Sequence, residues 1–270
     1  MNLIVDSHMH LSKDGISESL DSELIAHIEK TIERMAAHDI VMAIVAHGLP
    51  AETLDQVVAR YGSMFKGLLH IRGWDLKKSL EEIDRYGENP NIIGIKIYPN
   101  SFESSDFRRV IEPVCERIKT KRWIIQVHTN PVTDADLGIP LQTVLFAREI
   151  DLPVVMVHTG GHQFLQLAGW LTHGIPDNLY FDTSATQNMF CDSPFSSQFR
   201  WLLGLIPQDR LLWGSDYPCY SFQGALNAFA SLGFSDEDIK RITWSNPMKL
   251  LRDNTDTDLP AGDSSEVPGT

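Results

Sequence analysis

A closed barrel of eight parallel strands wrapped by helices, the α/β class (β/α)8 or TIM barrel, is predicted by three features of this 270-residue sequence. Eight short β-rich apolar runs recur along the chain. Amphipathic stretches of helical period separate them. The first run is followed by Ser7-His8-Met9-His10. An open, doubly wound sheet would instead place a glycine-rich phosphate turn there.

Each unit can be read in order. The first strand falls at 3–6. A helix follows at 23–37, with Leu24, Ile25, Ile28, Ile32 and Met35 on one stripe and Ser22 as its N-cap. The later strand–helix pairs are 40–46 with 51–61, 67–71 with 76–86, and 92–98 with 106–119. They continue with 123–128 and 141–150, 154–158 and 163–172, 179–182 and 196–205, and 211–213 and 222–232. The units share no repeated sequence, and the β-then-α alternation fits one barrel domain at 1–252. Residues 253–270 are rich in Asp, Ser, Pro and Gly and are expected to form a disordered tail.

Composition narrows the function. Asp and Glu total 36 against 23 Lys and Arg, a net charge of -13. That balance argues against a nucleic-acid partner, whose affinity comes from cationic contacts to phosphate. No apolar run approaches the roughly 18 residues of a membrane span. The N-terminus has neither a basic region nor a long apolar one, so no signal peptide is expected and the cytoplasm is the expected location. The three cysteines, Cys115, Cys191 and Cys219, are far apart and include no CxxC pair. A disulfide framework or thiolate zinc site is not expected, so any metal must be held by imidazole and carboxylate. The expected partner is a small-molecule substrate, and self-association as a homo-oligomer is left open.

Residues i and i+2 of a strand point to one side, so His8 and His10 project together. His128 ends the fifth strand and His158 the sixth. Asp216 follows the eighth in Gly214-Ser215-Asp216-Tyr217-Pro218. A barrel brings all five to the face where the strands end, the face that carries barrel active sites. Any one of these histidines could be a hydrogen-bonded core residue, and Asp216 could cap a loop. Together they make a metal-competent set.

Val5-Asp6-Ser7-His8-Met9-His10, the fifth- and sixth-strand histidines and the Gly-Ser-Asp-Tyr-Pro segment resemble the amidohydrolase superfamily, and most closely its amidohydrolase-related branch, which includes decarboxylases. The resemblance spans residues 3 to about 250 and is specific for the superfamily, not for a substrate. The opening motif also resembles TatD-type nucleases, but the fourth strand reads Gly94-Ile95-Lys96-Ile97-Tyr98-Pro99 and lacks their glutamate. The resemblance implies one divalent metal, zinc by ligand chemistry, on His8, His10, His128 and Asp216, with a position left for water. It implies Asp216 as general base and His158 as the group that polarises the scissile carbonyl.

Lys96 carries two readings. Unmodified, it is a cation for a substrate carboxylate; carboxylated, it would bridge to a second metal on His128 and His158. Arg72 and Tyr98 join it as expected substrate-binding residues, a surface ion pair being the alternative for Arg72. Three functions follow: hydrolysis of an amide, lactone or ester in a small carboxylated molecule, nonoxidative decarboxylation of an aromatic or unsaturated acid, and binding alone on an inactive barrel.

Overall fold

The computed structural model describes residues 3–11, 19–102, 107–129, 139–254 and 259. Among these, eight strands form one parallel sheet in sequential order: β1 Ile4–His10, β2 Ile40–His47, β3 Phe65–Ile71, β4 Ile92–Ile97, β5 Ile124–His128, β6 Val154–Val157, β7 Leu179–Asp182 and β8 Leu211–Leu212. The helices are α1 Ser22–Ala36, α2 Ala51–Tyr61, α3 Leu76–Tyr86, α4 Phe107–Val110, α5 Glu112–Ile118, α6 Ile139–Glu149, α7 Phe164–Leu171, α8 Thr186–Phe190, α9 Ser196–Leu205, α10 Phe222–Ala230, α11 Asp236–Lys240 and α12 Asn246–Asn254. No helix among the described residues is long and apolar enough to cross a membrane.

Alternation along the strands divides the core. Ile125, Val127, Val154, Met156, Phe181 and Leu211 face the helices in one large buried cluster. Met42, Ile44, Ala46, Ile124, Val155, Val157 and Leu212, of the opposite parity, form a smaller second cluster with Met248, Leu250 and Leu251 of α12. Each such buried aliphatic contributes about 1.5–3 kcal/mol. The parity of the second cluster continues into Gln126 and His128, so the polar residues of the site stand on the same strand faces, towards the strand ends.

Three local differences from the sequence reading have physical reasons. Asp21, not Ser22, caps α1, its carboxylate accepting from the amides of Glu23 and Leu24 at 3.1 and 2.8 Å. The helix expected at 106–119 is broken into α4 and α5 around Ile111, with Pro113 in the first turn of α5; proline cannot donate the amide that a continuous helix needs. Strand β1 runs past Asp6 to His10, because its polar residues are buried against the last strand. Helix α12 carries Asp253 and Asn254; Leu259 apart, the rest of the expected tail lies outside the described residues.

The barrel closes where β8 meets β1, and few residues do it. Ser7 donates its amide to the Trp213 carbonyl at 3.0 Å, Asp216 donates to the His8 carbonyl at 2.9 Å, and His10 donates to the Tyr217 carbonyl at 2.7 Å. This seam interleaves the His8-Met9-His10 strand end with the segment that carries Asp216.

Candidate functional site

The seam sets the centre of the site. Asp6, fully buried, accepts from the amides of Ser215 at 2.9 Å and His8 at 3.1 Å. Burial pushes its carboxyl up to about 7 against the pull of the Ser215 hydrogen bonds. Gly214 is required here: a Cβ on it would sit 2.5 Å from Asp182 Oδ2 and 2.9 Å from the His8 Cβ. Asp216 adopts a left-handed backbone, φ 56°, as do His158 at 67° and Thr159 at 44°. Such conformations cost of order 1–3 kcal/mol in non-glycine residues and gather at functional sites.

His8, His10 and Asp216 each offer a ligand atom, and the three atoms lie within 4.8 Å of one another. His10 Nε2 is 3.3 Å and His8 Nε2 3.5 Å from Asp216 Oδ1. Burial alone would raise the Asp216 carboxyl, but hydrogen bonding to the His10 imidazole opposite holds it well below the usual carboxylate range. Burial likewise drives His8 far below the usual imidazole value, with the Lys96 charge adding to it.

The hydrogen bonding of His8 tests whether these residues fit a metal. Gln126 donates its amide N–H to the Ser7 carbonyl at 2.7 Å, which turns its Oε1 towards His8 Nδ1 at 3.0 Å. An amide oxygen only accepts, so Nδ1 carries the hydrogen and Nε2 is a bare lone pair. That nitrogen is buried without a hydrogen-bond partner, and it faces a carboxylate oxygen. Two electron-pair donors directed at one point suit a cation between them, and an outer amide that orients a ligating histidine is the usual support of a metal site. The residues fit a divalent ion.

The other expected residues stand around this triad. The His158 ring meets His8 edge-on at 5.2 Å, and His128 meets His158 at 4.9 Å. His128 stacks on Tyr98 at 4.9 Å, and both its ring nitrogens are buried without hydrogen-bond partners among the described residues. The tightly spaced set does not extend to His128, which lies one ring away. Lys96 is fully buried, its Nζ lacks a hydrogen-bond partner and lies 5.3 Å over the Tyr98 ring, and burial lowers its ammonium to about 7. Burial raises the Tyr98 phenol above its ordinary value, so it is a neutral donor. His70, paired in register with Lys96, places its ring 5.3 Å from Tyr98. Arg72 does not join them: its guanidinium donates to Glu82 on α3 and its amide to Ser79. Cys219 is exposed and burial pushes its thiol up, so it is no activated nucleophile.

Sequence reasoning missed Gln126, Asp182 and Ser184. Gln126 and Asp182 had a legible signal, a polar residue inside an apolar strand at the parity of His128. Ser184 had none, because it reaches the site through a turn.

The sequence model of the amidohydrolase family (Amidohydro_2) matches residues 5–252. This chain therefore belongs to the amidohydrolase family, in its amidohydrolase-2 branch, a family of metal-dependent enzymes. No curated protein matches the sequence. Among solved structures, an uncharacterized TIM-barrel protein from Bordetella bronchiseptica aligns with TM-score 0.72 and 17% identity over 92% of this chain and 98% of its own. A probable 2-pyrone-4,6-dicarboxylic acid hydrolase from Acinetobacter baumannii, with citric acid bound, aligns at 0.66 and 15% over 93% and 99%. A dihydroxybenzoic acid decarboxylase from Polaromonas sp. JS666, with manganese and 2-nitroresorcinol bound, aligns at 0.66 and 17% over 93% and 97%. At these identities the likeness establishes the fold.

Proposed function

We propose that this chain is a metal-dependent hydrolase that opens an amide, lactone or ester bond in a small carboxylated molecule. The observation that carries the reading is the bare His8 Nε2 directed at Asp216 Oδ1 across 3.5 Å. His8, His10 and Asp216 would hold one divalent ion, zinc by their chemistry, with His128 completing the set. A divalent ion so bound supplies a Lewis acid and lowers the pKa of a water in its shell towards neutrality.

The remaining roles fall to this chain's own side chains. Asp216, ionised throughout the neutral range, would present its second oxygen to the attacking water and accept its proton. Lys96 and Tyr98 present a buried ammonium and a neutral phenol to a substrate carboxylate, and a charge-assisted contact of that kind contributes about 1.5–3 kcal/mol. His158 stands beside the triad, against the His8 ring.

Decarboxylation is the second reading, favoured by the same Lys96, since a buried cation seats the carboxylate that would leave as readily as one that stays. The test is a paired assay on the zinc- and manganese-loaded protein. It offers 2-pyrone-4,6-dicarboxylic acid and dihydroxybenzoic acids and measures released carbon dioxide against ring-opened acid. Ring opening without carbon dioxide supports the hydrolase. Carbon dioxide release transfers the site to the decarboxylase, and binding without turnover removes both.

A further inference from the structure

We propose that Ser184, held by Asp182, locks His158 in the tautomer with its hydrogen on Nδ1, so that Nε2 meets the substrate as a hydrogen-bond acceptor. The inference rests on the reading of this pocket as the reaction site. It assigns positioning roles to Asp182 and Ser184 and a selection rule to His158.

Strand β7 ends at Asp182, and the chain turns through Ser184 and Ala185, the latter at φ 56°. The turn carries Ser184 to the His158 ring, where its carbonyl oxygen and its Oγ each lie 3.0 Å from Nδ1. A carbonyl oxygen can only accept. The hydroxyl could compete by donating, but its hydrogen is committed to Asp182 Oδ1, which also accepts from the Ser184 amide at 3.0 Å. On its other side Asp182 Oδ2 lies 2.8 Å from Ser7 Oγ, whose single hydrogen is shared with the Trp213 carbonyl at 2.6 Å. Ser7, Asp182 and Ser184 are all fully buried, so no bulk water competes for these bonds. Two acceptors therefore face Nδ1 and no donor does. In a neutral imidazole one nitrogen donates and the other accepts, so Nε2 is left without a hydrogen.

The sequence reading expected His158 to polarise a carbonyl by donation. The locked tautomer has no hydrogen at Nε2 to give. It favours instead a substrate that places an O–H or N–H donor against that nitrogen: a hydroxylated acid or an amide, over an ester or lactone without such a group. A fixed wrong tautomer in a catalytic histidine costs orders of magnitude in rate, which is reason for a fold to spend three buried polar residues on the choice.

The test is long-range proton–nitrogen correlation NMR on the purified full-length protein with 15N-labelled histidine at pH 8, where Asp182 is ionised. His158 is assigned by the signal lost in His158→Gln. The expected spectrum shows hydrogen on Nδ1 and a bare Nε2. Asp182→Asn should keep that pattern, because its amide oxygen can accept from Ser184 while its NH2 faces Ser7 Oγ. Asp182→Ala frees the Ser184 hydroxyl to donate to Nδ1 and should produce a mixture of tautomers. Hydrogen on Nε2 in the unaltered protein overturns the proposal, and so does an unchanged pattern in Asp182→Ala. If Asp182→Ala does not fold, loss of the Nδ1 hydrogen in Asp182→Asn overturns it and retention supports it. Neither metal content nor turnover enters this readout, so failure of the hydrolase reading leaves it intact.

Discussion

Along the seam between β1 and β8, Asp6, Ser7, Gln126 and Ser215 are tied to backbone groups and to one another, and the ladder itself brings His8, His10 and Asp216 together. On β4 and β5, the Lys96 ammonium and both nitrogens of His128 are buried with no hydrogen-bond partner among the described residues. The first region is organised in advance by the fold. The second carries polar groups whose desolvation the described residues offset only in part, through the Tyr98 ring against Lys96 and His128 and the charges of Asp182 and Asp216. A buried unsatisfied polar group costs about 1–3 kcal/mol, more when charged, so a wall of this kind is explained by the ligand that completes it. The seam would hold the metal, with His128 completing its set from the wall; Lys96 and Tyr98 would hold the substrate.

The largest effect expected from breaking this contrast is at Asp216. Asp216→Asn keeps the shape but removes the base and one negative charge. Turnover of a confirmed substrate should fall by about 10²–10⁴, the usual span for a general base, while metal affinity falls less. Steady-state kinetics beside a metal titration reads both.

On the wall, Lys96→Met should move activity and stability in opposite directions. KM for a carboxylated substrate should rise roughly 10- to 100-fold, from a lost charge-assisted contact. The metal-free protein should become more stable, because an unpaired buried cation is replaced by a side chain of similar length. The sign with pH follows from the depressed ammonium, about 7 in the folded chain against an ordinary 10.5. Between those values the unfolded chain binds more protons than the folded one, so stability rises with pH across that window. Below about 7 both states are protonated and the full cost remains. The advantage of Lys96→Met should therefore shrink from pH 7 to 10 in urea melts; an advantage independent of pH would exclude Lys96 as its source.

At the seam, Gly214→Ala should cost about 1–3 kcal/mol, the usual penalty of overpacking, seen as a lower melting temperature. The added methyl meets Asp182 and His8, so metal affinity should drop with stability. The smallest effect is expected at Arg72. Its guanidinium is held by Glu82 on α3, so Arg72→Ala should change KM less than twofold.

The sequence carried the strand count, the spacing of the units and the metal-competent residues, because those depend on period and on position at strand ends. His8 and His10 were legible from i, i+2 spacing and Asp216 from the polar turn after the last apolar run. The extent of β1 was not, because Asp6, Ser7 and His8 are polar residues buried by the closing seam and do not read as a buried strand. Arg72, read as a pocket residue by extending strand parity one residue beyond the end of β3, is held by Glu82 on α3, the ion pair that was its alternative. Gln126 and Asp182 stand out as polar residues in apolar strands, but the contacts by which they support the site join parts of the chain far apart in sequence, and Ser184 reaches it through a turn, so their roles are not encoded in a local pattern.

Whether the seam is a metal centre is decided by elemental analysis of the purified protein beside the variant carrying both His8→Ala and His10→Ala. About one equivalent of divalent metal is expected in the unaltered protein and none in the variant, with the circular dichroism of a folded barrel retained in both. A folded double variant that still holds stoichiometric metal would contradict a metal centre at the seam.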